Sequence, residues 1–221
     1  MKTLKVQKLR KEIADFVLEA DFEVREGERA VIVGRSGSGK TSLLRLISGL
    51  ETPSDAQSSV SIGGVNILSL PPEKRNIGYV FQDDALFSTM NVIDNASFGL
   101  RMRGMGRKQR NDEATHWLKL VGLADRARDP IHILSGGEKQ RIAFVRALIW
   151  KPDIVLLDEP FSSLDVQLRA AMRTQLLDLH KMHPAPMVMV THDREDLAAL
   201  ATQEIRLSES TLEGKSVRRF S

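Results

Sequence analysis

The stretch Ala30-Val31-Ile32-Val33-Gly34-Arg35-Ser36-Gly37-Ser38-Gly39-Lys40-Thr41 decides the fold. Its first four residues form a short, uninterrupted apolar run, as expected of a strand buried on both faces of a mostly parallel sheet. The next eight satisfy the G-x-x-x-x-G-K-[ST] pattern of a phosphate-binding loop. Gly34, Gly37 and Gly39 let the backbone turn its N–H groups inward, Lys40 can reach terminal phosphates, and the Thr41 hydroxyl is a ligand for Mg²⁺. Leu43, Leu44, Leu46, Ile47 and Leu50 then mark the apolar face of a helix, with Gly49 as its stop. The alternative reading, a glycine-rich turn without a ligand, is disfavoured by the strand and helix on either side.

A second glycine-rich segment, Leu134-Ser135-Gly136-Gly137-Glu138, also stands at the start of a helical run, where exposed amides attract anions. At average residue usage the first pattern arises by accident in on the order of one per cent of chains this long, and the second in roughly a few per ten thousand. Their occurrence together is therefore not a coincidence of composition.

Three further apolar runs read as central strands: Ile77-Gly78-Tyr79-Val80-Phe81, Ile154-Val155-Leu156-Leu157 and Met187-Val188-Met189-Val190. Ligands of open parallel sheets gather at the carboxyl ends of strands, which is where Gln82, Asp158 with Glu159, and His192 fall. Two carboxylates after a buried strand are expensive unless they meet a metal, a water or a donor. Asp158 is suited to hold a metal through its water shell and Glu159 to polarise an attacking water as general base. The plainer reading of the pair is a helix cap reinforced by Pro160. A neutral His192 imidazole can hydrogen-bond a γ-phosphate or the attacking water, while Thr191 and Asp193 can cap the next helix. His116, His132, His180 and His183 have no such setting and read as surface or packing residues.

The 221 residues suit one domain with a subdomain insert. A formal charge of +3 provides no strong field, so nucleic acid is not expected as a partner. There is no cysteine, which excludes disulfides and thiolate metal sites and favours the cytosol. No stretch approaches the ~20 apolar residues of a membrane span, so any membrane role requires partners.

The fold expected is α/β, a P-loop NTPase with a RecA-like, mostly parallel core. Val17 to Val24 and Val60 to Val65 supply a small antiparallel subdomain, and residues 84–151 a helical one. The nucleotide-binding core comprises residues 1–83 and 152–221. Residues 101–108, rich in glycine and charge, read as a loop, solvated or touching a partner or lipid surface. The tail from Gly214 to Ser221 reads as frayed. Leu86 and Phe87, apolar residues in a loop, are candidates for a docking groove.

This set resembles the nucleotide-binding subunit of ATP-binding cassette (ABC) transporters. The matching parts are the Walker A loop at Gly34 to Thr41, the Q-loop at Gln82, the signature at Leu134 to Glu138, the Walker B strand ending Asp158-Glu159, the D-loop Ser162-Ser163-Leu164-Asp165, and the switch histidine His192. The resemblance implies ATP and Mg²⁺ as ligands. Residues 34–42, ending in Ser42, together with Ser135, Gly136, Gly137, Glu138 and Asp165, would contact nucleotide. Thr41, Gln82 and Asp158 would hold the metal, and Lys40, Gln82, Glu159 and His192 would carry catalysis. It also implies a head-to-tail homodimer in which the signature of one chain closes over ATP on the other, so that hydrolysis loosens the clamp.

A narrower likeness lies in residues 71–82, Ala85-Leu86-Phe87 and Asn95-Ala96-Ser97-Phe98-Gly99-Leu100. It is similar to bacterial importers of minerals and organic ions, which pair the ATPase with integral membrane permease subunits and, indirectly, an extracytoplasmic solute-binding protein. The implied location is peripheral, on the cytoplasmic face of the inner membrane. An exporter subunit and a soluble cassette ATPase outside transport are the alternatives. Three departures stand out. No C-terminal regulatory domain is expected, Phe87-Ser88-Thr89-Met90 lacks the usual proline, and the aromatic that stacks on adenine has no clear equivalent. Phe16 is the nearest candidate, and Lys11 occupies the aligned place.

Overall fold

The computed structural model describes residues 2–212 and 215–221. By contacts the chain forms two units, one of Met1–Tyr79, Asp153–Glu159 and Pro184–Ser221, the other of Val80–Pro152 and Pro160–His183.

The first unit holds two sheets. Strands β1 (Thr3–Ile13), β2 (Phe16–Arg25), β4 (Ser59–Ile62), β5 (Val65–Asn66), β10 (Leu207–Leu212) and β11 (Lys215–Phe220) form one, in the order β10-β11-β2-β1-β4-β5. Its pairs are antiparallel except β11 on β2, which is parallel, with Val217 opposite Val17 and Arg218 opposite Leu18. The second sheet is β6-β7-β8-β3-β9, from β6 (Ile77–Val80), β7 (Ile154–Asp158), β8 (Met187–Thr191), β3 (Arg29–Val33) and β9 (Gln203–Glu204). Parallel pairing joins β7 to β8, β8 to β3 and β3 to β9. Every residue of β7 and β8 is buried, as their unbroken apolar runs require.

Helix α1 (Lys40–Ser48) buries Leu43, Leu44, Leu46 and Ile47 completely, each contributing roughly 1.5–3 kcal/mol. It ends at Gly49 in the left-handed region, φ 85°, two residues earlier than Leu50 would require. Leu50 consequently lies outside the apolar face and is 50% exposed. The terminus is sealed by buried Arg75, whose Nη1 donates to the carbonyls of Leu46 and Ile47 at 3.1 and 2.8 Å. A cation on the last carbonyls also complements the helix dipole.

The second unit is helical: α2 (Val92–Ala96), α3 (Phe98–Met102), α4 (Arg107–Leu120), α5 (Gly136–Leu148) and α6 (Val166–Met182). Helix α7 (Arg194–Leu200) belongs to the first unit.

Several expectations change. The expected antiparallel subdomain is present, but the C-terminal hairpin extends its sheet to six strands and adds one parallel pair. The tail is therefore not frayed: residues 215–220 are a paired strand with Val217 and Phe220 buried, while Gly214 lies outside the described residues. Residues 101–108 are a loop only from 103 to 106, since α3 runs through Met102 and α4 starts at Arg107. Helix formers Arg, Met, Lys and Gln there outweigh the two glycines.

Candidate nucleotide site

The first unit gathers Lys40, Thr41, Tyr79, Asp158, Glu159 and His192. Gly37 and Gly39 have φ of 74° and 95°, conformations that side chains resist, and they wrap residues 34–39 around the start of α1. No side chain caps that helix start. The Lys40 ammonium, on a side chain 5% exposed, donates to the carbonyls of Gly34 and Arg35 at 2.7 and 3.0 Å, and lies 3.5 Å from Oε1 of Glu159. Buried Ser38 Oγ has no hydrogen-bond partner. Uncapped amides, a buried cation and an orphaned hydroxyl in one glycine loop form a cradle complementary to an anion.

Thr41 Oγ1 donates to Asp158 Oδ1 at 2.9 Å, and the Tyr79 hydroxyl donates to Oδ2 at 3.3 Å. Burial pushes the Asp158 carboxyl above its ordinary value, while the hydroxyls of Thr41 and Tyr79 pull it back. Burial, then the neighbouring carboxylate, push the Tyr79 phenol well above its usual range. Among the described residues no cluster of three or more His, Cys, Asp or Glu can enclose a metal. The Thr41–Asp158 pair does fit Mg²⁺, a hard ion that accepts few protein oxygens and completes its shell with phosphates and water.

Glu159 leaves the strand at φ 47°, a left-handed conformation costing on the order of 1–2 kcal/mol, while its N–H still donates to Val190 O at 2.9 Å. Its carboxylate spans two cations or potential cations: Oε1 faces Lys40 and Oε2 lies 2.5 Å from His192 Nδ1. The His192 side chain is 54% exposed and that of Glu159 only 13%. Of the two capping candidates at 191 and 193, Asp193 alone caps the helix. Asp193 Oδ1 caps α7 by accepting from Glu195 N at 2.8 Å, Thr191 Oγ1 donates to buried Asp196 at 2.6 Å, and His192 is left facing Glu159.

Gln82, Ser135 to Glu138 and Asp165 lie in the second unit. Gln82 is exposed in a turn two residues beyond β6. Ser135 caps α5 with a reciprocal box: its Oγ accepts from Glu138 N at 3.4 Å and Glu138 Oε2 accepts from Ser135 N at 2.8 Å. Those Ser135 hydrogen bonds hold the Glu138 carboxyl below its ordinary value. Gly137 is buried, and a Cβ there would come within 2.6 Å of Leu168 Cδ2. Asp165 caps α6, accepting from Leu168 N at 2.9 Å.

Of the four other histidines, His180 is 2% exposed, His183 Nε2 lies 2.6 Å from Pro152 O, and His116 and His132 are exposed. Phe87 is 38% exposed, its ring tilted at 46° against Phe98 with centroids 4.5 Å apart. Its loop is tied down by fully buried Asn95, which accepts from Phe87 N at 2.8 Å, and by Arg146, which donates to the carbonyls of Asp84 and Ala85 at 2.6 Å each. Sequence reasoning missed Tyr79, Arg75, Asn95 and Arg146. Tyr79 had one signal: it sits on a strand leading to Gln82, in a chain with a single tyrosine.

A family model described as ABC transporter matches residues 17–162, about two thirds of the chain. The spermidine/putrescine import ATP-binding protein PotA of Bacteroides fragilis is 40% identical over 192 residues, covering 87% of this chain and 41% of that protein. The Fe(3+) ions import ATP-binding protein FbpC of Rhizobium etli is 37% identical, covering 93% and 58%. The molybdate/tungstate import ATP-binding protein WtpC of Pyrococcus horikoshii is 40% identical, covering 89% and 57%. The chain thus spans about half the length of the curated relatives it matches. With the strand–loop–helix cradle, the carboxylates after β7 and the capped signature helix in one chain, and with that family match across most of it, the protein belongs to the ABC transporter family.

Proposed function

We propose that the chain binds and hydrolyses ATP and thereby powers import of a small inorganic or organic ion. The observation that carries the reading is the arrangement at the end of β7, with Asp158 on Thr41 and Glu159 between Lys40 and His192. The relatives' names, all of them import ATP-binding proteins, favour import over an exporter or a non-transport role.

In this reading the amides of residues 34–42 and Lys40 bind the triphosphate. Thr41 and Asp158 hold Mg²⁺, with Gln82 assigned to the same ion by the family resemblance. Bound there, the ion would neutralise charge on the phosphate oxygens. Glu159 takes a proton from the attacking water, and His192 orients Glu159 and the γ-phosphate. Lys40 gives up its carbonyl partners for phosphate oxygens, which are stronger acceptors for an ammonium.

A second copy, arranged head-to-tail, would supply Ser135 and Gly137 to the nucleotide, with Asp165 nearby. Integral permease subunits would dock near the loop of Leu86 and Phe87, and a solute-binding protein would act through them. No helix among the described residues is long and apolar enough to cross a membrane. Attachment to the cytoplasmic face of the inner membrane would therefore come through the permease.

Light scattering on the Glu159→Gln protein tests the pairing. Mg-ATP should double the molar mass, and a mass that stays that of one chain at saturating nucleotide contradicts the head-to-tail arrangement.

A further inference from the structure

The phosphate end of the cradle is built from β3, α1 and β7, but its outer rim is closed by the last strand of the chain. β11 lies parallel to β2, which sets Arg218 beside Leu18 and two residues from the Phe16 register. From there the Arg218 guanidinium lies over the Phe16 ring, 3.9 Å from its centroid, and Nη1 donates to Gly37 O at 2.5 Å. Nε is 3.4 Å from Glu209 Oε1 across the β10–β11 hairpin. A planar cation is thus set over a ring and bonded to the phosphate-binding loop through Gly37, while its buried Nε pairs with Glu209 by charge alone and makes no hydrogen bond.

Phe16 itself offers no face to a ligand. It is 8% exposed, with Arg218 over its ring and Gly39 against its edge, where a Cβ would approach Cε2 to 3.1 Å. Lys11 is engaged elsewhere, its Nζ donating to Thr52 O at 2.8 Å. The Arg218 side chain keeps 22% of its surface in solvent. It is flat, cationic, anchored and adjacent to Gly37, and guanidinium planes stack on π systems.

We propose that Arg218 is the surface on which the nucleobase of the bound nucleotide rests, with Phe16 serving as its backing and not as the base's own partner. The inference rests on the nucleotide-binding reading above. Anchoring matters to its effect. A guanidinium already fixed by Phe16 and Gly37 loses little side-chain freedom when a base covers it.

The test compares ATP with inorganic tripolyphosphate, which carries the same phosphates and no base. Dissociation constants are measured for wild type, Arg218→Ala and Arg218→Lys. The platform predicts that both variants weaken ATP by roughly tenfold, while tripolyphosphate binding stays within about twofold. Arg218→Lys keeps a charge and a donor for Gly37 but has no plane, so it should not rescue. Equal weakening of both ligands in Arg218→Ala would show that the residue only shapes the loop and would overturn the proposal. Unchanged ATP affinity in Arg218→Ala, or full rescue by lysine, would overturn it as well. A wild-type chain that binds neither ligand would instead defeat the nucleotide-binding reading itself.

Discussion

His192 Nδ1 lies 2.5 Å from Glu159 Oε2, across the junction where β7 and β8 end side by side. The contact fixes one carboxylate oxygen of Glu159 on an exposed ring, while the other oxygen faces the buried Lys40 ammonium 3.5 Å away. Removing the ring leaves that oxygen with the backbone N–H of residue 192 at 3.3 Å and takes away the imidazole that orients it. His192→Ala is therefore expected to lower ATP turnover by about 10²-fold or more without a comparable change in ATP affinity. Turnover assays paired with a nucleotide titration check this, and a loss confined to affinity would contradict it.

Tyr79 adjusts the neighbouring carboxylate. Its hydroxyl favours the charged form of Asp158, whose carboxyl burial already raises. Tyr79→Phe removes that donor, so Asp158 takes up its proton at higher pH. The acid limb of the pH–rate profile should then move upward by at most about one pH unit, matching a neutral hydrogen bond of about 1 kcal/mol. A limb that moves downward or stays fixed would exclude the coupling.

Asp84 provides a pH test of stability in the second unit. Burial pushes its carboxyl up to about 6, Oδ1 has no hydrogen-bond partner, and its backbone is left-handed at φ 59°. A raised carboxyl pKa favours the folded state while protonated. That contribution is complete below the ordinary value of 3.8 and is lost as pH rises through about 6. Asp84→Asn should be more stable than wild type at pH 7 and indistinguishable from it near pH 3.5, since asparagine tolerates this backbone and carries no charge. Urea unfolding at both pH values measures the difference.

Gly99 is expected to be intolerant of any side chain. A Cβ there would fall 2.3 Å from Trp150 Cδ1, and the Arg103 guanidinium lies over the same indole, 4.2 Å from the ring centroid. Gly99→Ala should destabilise by about 1–3 kcal/mol, although alanine is the better helix former. The penalty should shrink sharply when Trp150→Ala is already present, which a double-mutant cycle reads directly.

The sequence was most legible where one residue type admits one physical role. The buried runs 30–33, 154–157 and 187–190 became β3, β7 and β8, and the polar residues after β7 and β8 converge with Lys40 and Thr41 at the end of that sheet. It was least legible where the role depends on a partner far along the chain. Arg218 reads as tail charge until β11 pairs with β2 about 200 residues away, and Arg75 reads as surface charge until it meets the end of α1. Residues 101–108 misled for the opposite reason. Glycines 104 and 106 mark a real turn, but one only four residues long between two helices.

The central claim is that Glu159 acts on water at a triphosphate held by Lys40 and Thr41. Steady-state phosphate release from Mg-ATP by wild type and Glu159→Gln, with ATP affinity measured on the same preparations, tests it most directly. The account predicts a turnover loss of about 10²–10⁴ with affinity retained. Equal turnover in the two proteins would contradict it.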